Sequence, residues 1–585
     1  MISINSPLGE HDRLLAELLS FVRDEREAGN QKLLNIWQRP ITEKLRNGWS
    51  QDFVRIEKSD HPSVLWAYPG EGESRFREGD LLFLHGGSPL DNPLCRQISF
   101  EREEDDRWML RSDRAVAMWD SYTGGPCYAD PDSIDLTPYY ERAIEEIASS
   151  RIGRDFVLPL LAGTLGIGFL ESEVIAGERF ALSAGFNAKQ AEAVGLAYGA
   201  EQVACIQGPP GTGKTRVLSL IARLMVARGE RILMTSHTHT AINNALNKIF
   251  GEGVPTVKVG RDTQSKGLDV AIATVSGLDA WEERPRSGGY VVGATPFATC
   301  NTRLENYEFD TILFDEASQV TVPLALMAMR KGKRYIFVGD HQQLPPVLQS
   351  RSILSKDSMS VFTTLTSQAA GLSVMLQETY RMNRWLTAWP SDTYYGTQLR
   401  AVGPNSERCL KLDLVEPRFA EVFDPAASAI FIPTLDSSAR TRNFRDAELV
   451  VQLCQAAADG GLALSEIGIV SPYRAHGRLV RGLLAKAFGA AVARNVVADT
   501  VERMQGQERE LIILSLATGD EVFLAAIAEF FFQPERLNVS ITRAKTKLIV
   551  IGPEAQHIPK AHDDRIWQWI KQYREFIGQC RRVEF

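Results

Sequence analysis

The chain has 585 residues, room for roughly three or four domains at about 150 residues each. Its 65 Lys and Arg against 73 Asp and Glu leave a net charge of −8, and 44% hydrophobic with 24% charged residues is ordinary globular chemistry. This excludes a collagen-like, a disordered or a disulfide-scaffold chain and a uniformly basic nucleic-acid coat, while leaving room for a local basic groove. Seven scattered cysteines without C-x-x-C spacing indicate no zinc site and fit a reducing compartment. The opening MISINSPLGEHDRLLAELL has no basic segment followed by an apolar core. The longest uncharged stretch, Phe156 to Leu170, contains Pro159 and is shorter than the about 20 residues of a spanning helix. The expectation is a soluble, cytoplasmic protein with no membrane partner.

Leu14, Leu15, Leu18, Leu19 and Val22 recur at helical spacing and predict a helix in the first 40 residues. From about 53 to 112 the texture changes to short apolar runs, SVLWAYP, DLLFLHGG, RQISFERE and RWMLRSD, broken by Gly70, Gly72, Gly86-Gly87 and an acidic turn at 101–106. Such spacing predicts a small β-barrel or curled sheet. Residues 137–151, opening Thr137-Pro138, read as a helix. From about 200, VACIQ, RILMTS, VVGAT, TILFDE and RYIFVGD alternate with helical stretches, and after a looser region at 348–370 the runs AIFIP, IGIVSPY, LIILSLA and LIVIG do the same. Two α/β blocks with parallel sheets follow from this alternation.

Gly208-Pro209-Pro210-Gly211-Thr212-Gly213-Lys214-Thr215 fits G-x-x-x-x-G-K-[ST] between an apolar run and a helical one. Glycines let backbone N–H groups curl around a phosphate at a helix N-terminus, Lys214 reaches the β- and γ-phosphates of ATP, and the Thr215 hydroxyl ligates Mg²⁺. Asp315-Glu316 follows the buried run TILF: Asp315 is the candidate Mg²⁺ holder and Glu316 the group that orients the attacking water. Adjacent carboxylates behind a buried strand are costly without a cation; a helix-capping role is the bland alternative.

With these motifs in place, residues 186–552 resemble a superfamily 1 helicase of the Upf1-like branch (SF1B, DNA2/NAM7-like). Phe186-Asn187-Ala188-Lys189-Gln190 resembles the Q motif, TSHTHTAINNAL at 235–246 motif Ia, and VVGAT at 291–295 motif Ic. DEASQ at 315–319 with GDHQQLPP at 339–346 resembles motifs II and III, ETYRMN at 378–383 motif IV, VERMQGQERELIILS at 501–515 motif V, and RLNVSITRAK at 536–545 motif VI. The resemblance implies that Gln190 reads the adenine edge, Gln343 senses the γ-phosphate, Arg381 and Arg543 are arginine fingers, Glu508 contacts the ribose and Tyr380 stacks on adenine. The nucleotide-binding set is then Gln190, Gly208, Gly211, Thr212, Gly213, Lys214, Thr215, Tyr380 and Glu508, with Lys214, Glu316, Gln343, Arg381 and Arg543 in catalysis. Ser236, His239, Thr295, Tyr473 and Thr500 are expected to make sequence-neutral contacts to a single strand. His237-Thr238-His239 could read as a metal pair, but no third ligand lies nearby in sequence, and the motif Ia reading is preferred.

The implied fold is α/β: two tandem RecA-like P-loop domains with an N-terminal small β-barrel and helical stalk. The expected divisions are 1–180 for stalk and barrel, 181–347 and 371–560 for the motor domains, and 561–585 for a C-terminal helix or tail. The expected function is an ATP- and Mg²⁺-dependent helicase or translocase on single-stranded DNA or RNA, moving 5′-to-3′ by resemblance. A nucleic-acid-stimulated ATPase that remodels complexes without unwinding, and an ATP-switch subunit of a larger defence or repair assembly, stand as alternatives. Protein partners are not legible.

Overall fold

The computed structural model describes residues 9–70, 74–76, 78–104, 107–112, 124–350, 359–368, 371–504, 506–556, 558 and 563–585. Part of the expected acidic turn (105–106), part of the looser region (351–358, 369–370), Gln505 of the motif V run and 561–562 of the tail lie outside them. No helix among the described residues is long and apolar enough to cross a membrane.

The leucine stripe forms the helix Glu10–Trp37, which buries Leu18, Phe21 and Val22 against Ile144 and Ile147 of the helix Thr137–Ser149. These two helices share one core with the first α/β block, so the stalk is an extension of that block's packing. At the stalk's far end Trp37 meets Phe83 edge to face at 5.3 Å and donates its indole N–H to the Pro131 carbonyl.

Six antiparallel strands close into the barrel: β1 (Gln51–Lys58), β2 (Val64–Pro69), β3 (Leu81–His85), β4 (Pro93–Glu104), β5 (Arg107–Arg111) and β6 (Cys127–Pro131), in the order β1-β2-β5-β4-β3-β6. Four matched the apolar runs. The other two, β1 and β6, carry charge in their sequences, and in β6 that charge points inward. Asp130 is fully buried, accepts from Lys44 Nζ and Ser50 Oγ, and lies 3.1 Å from His85 Nε2. Buried charges persist only when paired and hydrogen-bonded, and this cluster is both.

The first parallel sheet has eight strands: β7 (Val203–Gln207), β8 (Arg231–Thr235), β9 (Thr256–Val259), β10 (Thr274–Val275), β11 (Tyr290–Gly293), β12 (Thr311–Phe314), β13 (Arg334–Gly339) and β14 (Ser373–Met375), ordered β10-β9-β11-β8-β12-β13-β7-β14. Alternate residues feed opposite cores: Ile312 and Phe314 face the stalk side while Leu313 packs with Ile206 and Ile221. The edge strand β14 pairs with β7, so the segment expected to open the second block still belongs to the first sheet.

A two-stranded link, β15 (Glu378–Thr379) with β16 (Arg400–Ala401), precedes the second sheet. That sheet comprises β17 (Ala429–Pro433), β18 (Ile467–Ser471), β19 (Val497–Thr500), β20 (Arg509–Ser515), β21 (Ala544–Gly552) and β22 (Arg581–Arg582), ordered β19-β18-β20-β21-β17-β22 with parallel pairing. The C-terminal helix Asp564–Gln579 packs Ile570, Tyr573 and Phe576 into the second block's core.

Buried His476 ties the helix Arg474–Phe488 to its surroundings: Nδ1 accepts from the Asn443 N–H, and Nε2 lies 2.8 Å from Ser515 Oγ. Burial lowers its pKa to about 4 from an ordinary 6.5. The unfolded chain therefore binds this proton near pH 6.5 and the fold only near 4. Stability is lost as pH falls through that window, by at most about 3 kcal/mol from this residue. The expected outcome is a thermal midpoint that drops between pH 6.5 and 4.5, with a smaller drop in a His476→Gln variant.

Candidate nucleotide cleft and strand groove

The phosphate loop runs from the end of β7 into the helix Lys214–Ala227. Gly211 and Gly213 take left-handed φ values of 74° and 82°, which glycine adopts without steric cost. Lys214 Nζ donates back to the Gly208 carbonyl, and Thr212 Oγ1 donates to the Pro209 carbonyl at 2.7 Å. The loop's outer carbonyls are taken by the second block's approach: Thr379 Oγ1 donates to the Pro210 carbonyl at 2.8 Å and the Tyr380 N–H to the Gly211 carbonyl at 2.9 Å. A Cβ on Gly211 would lie 2.5 Å from Thr379 Oγ1 and from the Arg381 Cβ. The loop is thus a contact between the two blocks as well as a phosphate cradle.

Asp315 and Glu316 follow β12, and Glu316 sits at φ 51°, an uncommon conformation for a non-glycine residue that recurs at functional sites. Asp315 accepts the Glu316 N–H at 3.0 Å. Burial, then the Glu316 charge, push the Asp315 carboxyl up to about 7, against the opposing pull of Lys214. Gln343, 3% exposed, donates Nε2 to Asp340 Oδ2 at 2.8 Å.

From the second block, Arg381 bonds Glu508 through Nε and the Thr542 carbonyl through Nη1. Arg543, 2% exposed, donates Nε to the Val539 carbonyl. Burial, then repulsion from Arg381, lower the Arg543 pKa to about 9, while Glu316 pulls it the other way. Burial raises Glu508, but Arg381, Lys545 and Arg543 outweigh it and hold the carboxyl below its ordinary range.

These groups line one cleft of about 390 Å³, a size typical of small-molecule sites. Gly211, Thr212, Gly213, Lys214, Thr215, Asp315, Glu316 and Gln343 come from the first block, Tyr380, Arg381, Glu508 and Arg543 from beyond it. Asn244 and Lys248, which the sequence reading did not single out, also face it. Gly208 and Gln190 are not in the lining. Gln190 is 1% exposed and both ends of its amide are engaged: Nε2 donates to the Thr212 carbonyl and Oε1 accepts the Asn187 N–H. In this geometry it buttresses the phosphate loop. Tyr380 is 40% exposed, with its hydroxyl between Asn187 and Glu378.

Two AAA domain families match the chain, one over residues 185–387 and one over 358–555. DNA replication ATP-dependent helicase/nuclease DNA2 of Saccharomyces cerevisiae is 28% identical over 422 residues, 65% of this chain and 27% of that protein. DNA polymerase alpha-associated DNA helicase A of Schizosaccharomyces pombe is 28% identical over 449 residues, 66% of each. The two AAA matches together span residues 185–555, and over that region the chain is similar to DNA2-like helicases. DNA2 of Xenopus laevis is 30% identical over 63% of this chain and 37% of that protein. The chain thus spans between about a quarter and two thirds of the length of these relatives. A crystal structure of arterivirus nonstructural protein 10 (helicase) aligns at TM-score 0.39 and 14% identity, over 88% of this chain and 80% of that one.

The five residues expected to face a strand all stand at carboxyl ends of parallel strands: Ser236 and His239 after β8, Thr295 after β11, Tyr473 after β18, Thr500 at the end of β19. Only His239 lines the groove of about 910 Å³ between barrel and first block, where Arg96, Arg111, Arg261 and Lys266 also lie. Ser236 Oγ is buried and has no hydrogen-bond partner among the described residues; Tyr473 accepts from Thr518 Oγ1 at 2.9 Å; the Thr500 N–H is held by Asp499. Fully buried Lys258 places Nζ 3.2 Å from His239 Nδ1. Burial, then Lys258 and Arg303, lower His239 to about 4, while burial lowers Lys258 to about 8. A lone lysine in the β-branched run TVKV was the available signal for it.

A further cationic seam joins barrel to second block. Arg474 donates to the Arg75 carbonyl at 3.1 Å and Arg478 to the Ser74 carbonyl at 3.2 Å. Burial, then Arg478 and Arg474, lower the Arg75 pKa, while Asp80, Asp499 and Glu502 supply partial counter-charge to Arg474. No motif marks these three arginines.

Gly211→Ala should impose both a left-handed alanine and a clash with Thr379, costing about 1–3 kcal/mol. The expected outcome is a lowered thermal midpoint together with weakened binding of a fluorescent ATP analogue.

Proposed function

We propose that the chain is an ATP-driven motor on single-stranded DNA. The observation that carries this is the convergence on one cleft of a lysine and two carboxylates from the first block with two arginines from beyond it. ATP fits with its phosphates on the loop's N–H groups and Lys214, and its γ-phosphate toward Gln343, Arg381 and Arg543. Glu316 orients the attacking water, and the two guanidinium groups spread positive charge over the transferring phosphoryl group. The donor set fits Mg²⁺: Thr215 offers a hydroxyl and Asp315 a carboxylate that lines the same cleft, where burial and the adjacent Glu316 disfavour its charge and a cation would relieve both. Bound there, the ion would neutralise charge on the β- and γ-phosphates.

Arg381 and Arg543 engage the nucleotide only when the blocks are closed, so hydrolysis and release let the blocks separate. Residues at the strand ends of both blocks then alternate their hold on the phosphate backbone. DNA is the preferred track because the relatives' names are those of DNA helicases, and 5′-to-3′ movement is the direction implied by the family. The groove arginines and the Arg75–Arg474–Arg478 seam supply local positive charge on a body of net charge −8, and sequence-neutral phosphate contacts of this kind lose affinity as salt rises.

Lys214→Ala and Glu316→Gln should each lower strand-stimulated ATP hydrolysis by about a hundredfold or more, Glu316→Gln retaining nucleotide binding. Unwinding of a duplex with a 5′ overhang, but not one with a 3′ overhang, is the outcome for a 5′-to-3′ helicase; stimulated hydrolysis without strand separation would favour a remodelling ATPase. Arg474→Ala and Arg478→Ala should each weaken oligo(dT) binding and lower the slope of log affinity against log salt by about one.

A further inference from the structure

Asp340 stands just beyond the end of β13 and is fully buried. Four donors converge on its carboxylate. Gln207 Nε2 at 3.3 Å and the Gln342 N–H at 3.2 Å reach Oδ1; Gln343 Nε2 and the Tyr395 hydroxyl, both at 2.8 Å, reach Oδ2. Three of these come from the first block. The fourth, Tyr395, closes the helix Arg384–Tyr394 beyond it and is 3% exposed. Its hydroxyl in turn accepts from Asn538 Nδ2 at 2.9 Å, and the same amide donates to the Gln342 carbonyl at 2.7 Å. Asn538 lies on the helix Pro534–Ile541, whose Val539 carbonyl holds Arg543 and whose capping Thr542 carbonyl holds Arg381.

We infer that Tyr395 and Asn538 are positioning residues that set the Gln343 amide through Asp340, so that the γ-phosphate contact and the arginine-bearing helix are held in one register. The inference rests on the proposed ATPase reading and extends it to two residues that touch no nucleotide. A carboxylate is acceptor-only, so Asp340 forces Gln343 to present its NH₂ end, keeps one N–H and leaves the other for a phosphate oxygen in the cleft that Gln343 lines. Because Tyr395 donates to the same oxygen as Gln343, the carboxylate's orientation depends on the second block's seating. Burial and the Asp340 charge hold the phenol neutral, which is the form that donates. Asn538 completes the loop: its single amide bridges Tyr395 to the Gln342 backbone, next to the sensor residue itself. Shifting the arginine helix therefore strains the Gln342–Gln343 peptide directly and the Gln343 side chain through Tyr395 and Asp340.

The test is steady-state ATP hydrolysis by the full chain with Mg²⁺ and saturating oligo(dT), for wild type, Tyr395→Phe, Asn538→Ala and the double variant, each checked by thermal melting. Tyr395→Phe removes one hydroxyl from a ring that stays packed. The expected result is a kcat about tenfold lower with KM for ATP within about twofold, because the lost bond acts on the transition-state geometry and not on nucleotide binding. Asn538→Ala should show the same split and carries the test if Tyr395→Phe does not fold. The double variant should be no more than about twofold slower than the slower single, since both act through one path. An unchanged kcat, kcat and KM changing in step, or losses that multiply would each overturn the inference while leaving the ATPase reading intact. A wild-type chain that hydrolyses no ATP would overturn that reading, and this inference with it.

Discussion

Everything at the centre of this molecule depends on how closely the phosphate loop and the second block approach each other. The Pro210 and Gly211 carbonyls are consumed by Thr379 and Tyr380, and the absence of a side chain on Gly211 is what permits the contact. The loop's acceptors thus face the partner block and its N–H groups are left for an anion. The same contact brings Arg381, the residue after Tyr380, to the cleft. A nucleotide site built this way is completed by apposition, which is why both blocks are needed for it.

Apposition also gathers charge that neither block would hold alone. Arg381 and Arg543 repel one another, Asp315 and Glu316 repel one another, and the two pairs face each other across the cleft. Glu508 relieves part of the first repulsion by taking Arg381 Nε, and the surrounding cations stabilise its ionised form, holding the carboxyl below its ordinary range. Such preorganised, partly unsatisfied charge suits a site where phosphate arrives and leaves repeatedly.

The stalk and barrel connect to this centre mechanically. The stalk's Glu25 accepts the Gln349 and Ser350 N–H groups just downstream of the GDHQQLPP segment, and Arg330 of the first block pairs with Glu146 of the second stalk helix. The barrel's other side meets the second block through arginine donors to the Ser74 and Arg75 carbonyls. Glu78 of the barrel also pairs with Lys266 of the first block at 3.5 Å, so the barrel touches both blocks.

The sequence by itself determined the α/β class, the central strands of both sheets, the barrel's existence and most of the cleft residues. Strands buried on both faces must be apolar runs, and a phosphate loop needs glycines and a lysine at fixed spacing, so both are local patterns. Tertiary structure alone decided the rest. Strand β6 hides a buried Asp130 held by the distant Lys44 and Ser50, and β9 hides a buried Lys258 beside His239. The edge strand β14 is too short to carry a pattern, so its return to the first sheet is visible only in its pairing with β7. Gln190, assigned by resemblance to an adenine, spends both ends of its amide on the chain itself. The Asp340–Tyr395–Asn538 network and the Arg75–Arg474–Arg478 seam join residues up to some four hundred positions apart. A hydrogen bond between such residues leaves no periodicity behind it, because its geometry is set by how separate parts of the fold dock and not by the spacing of neighbours along the chain.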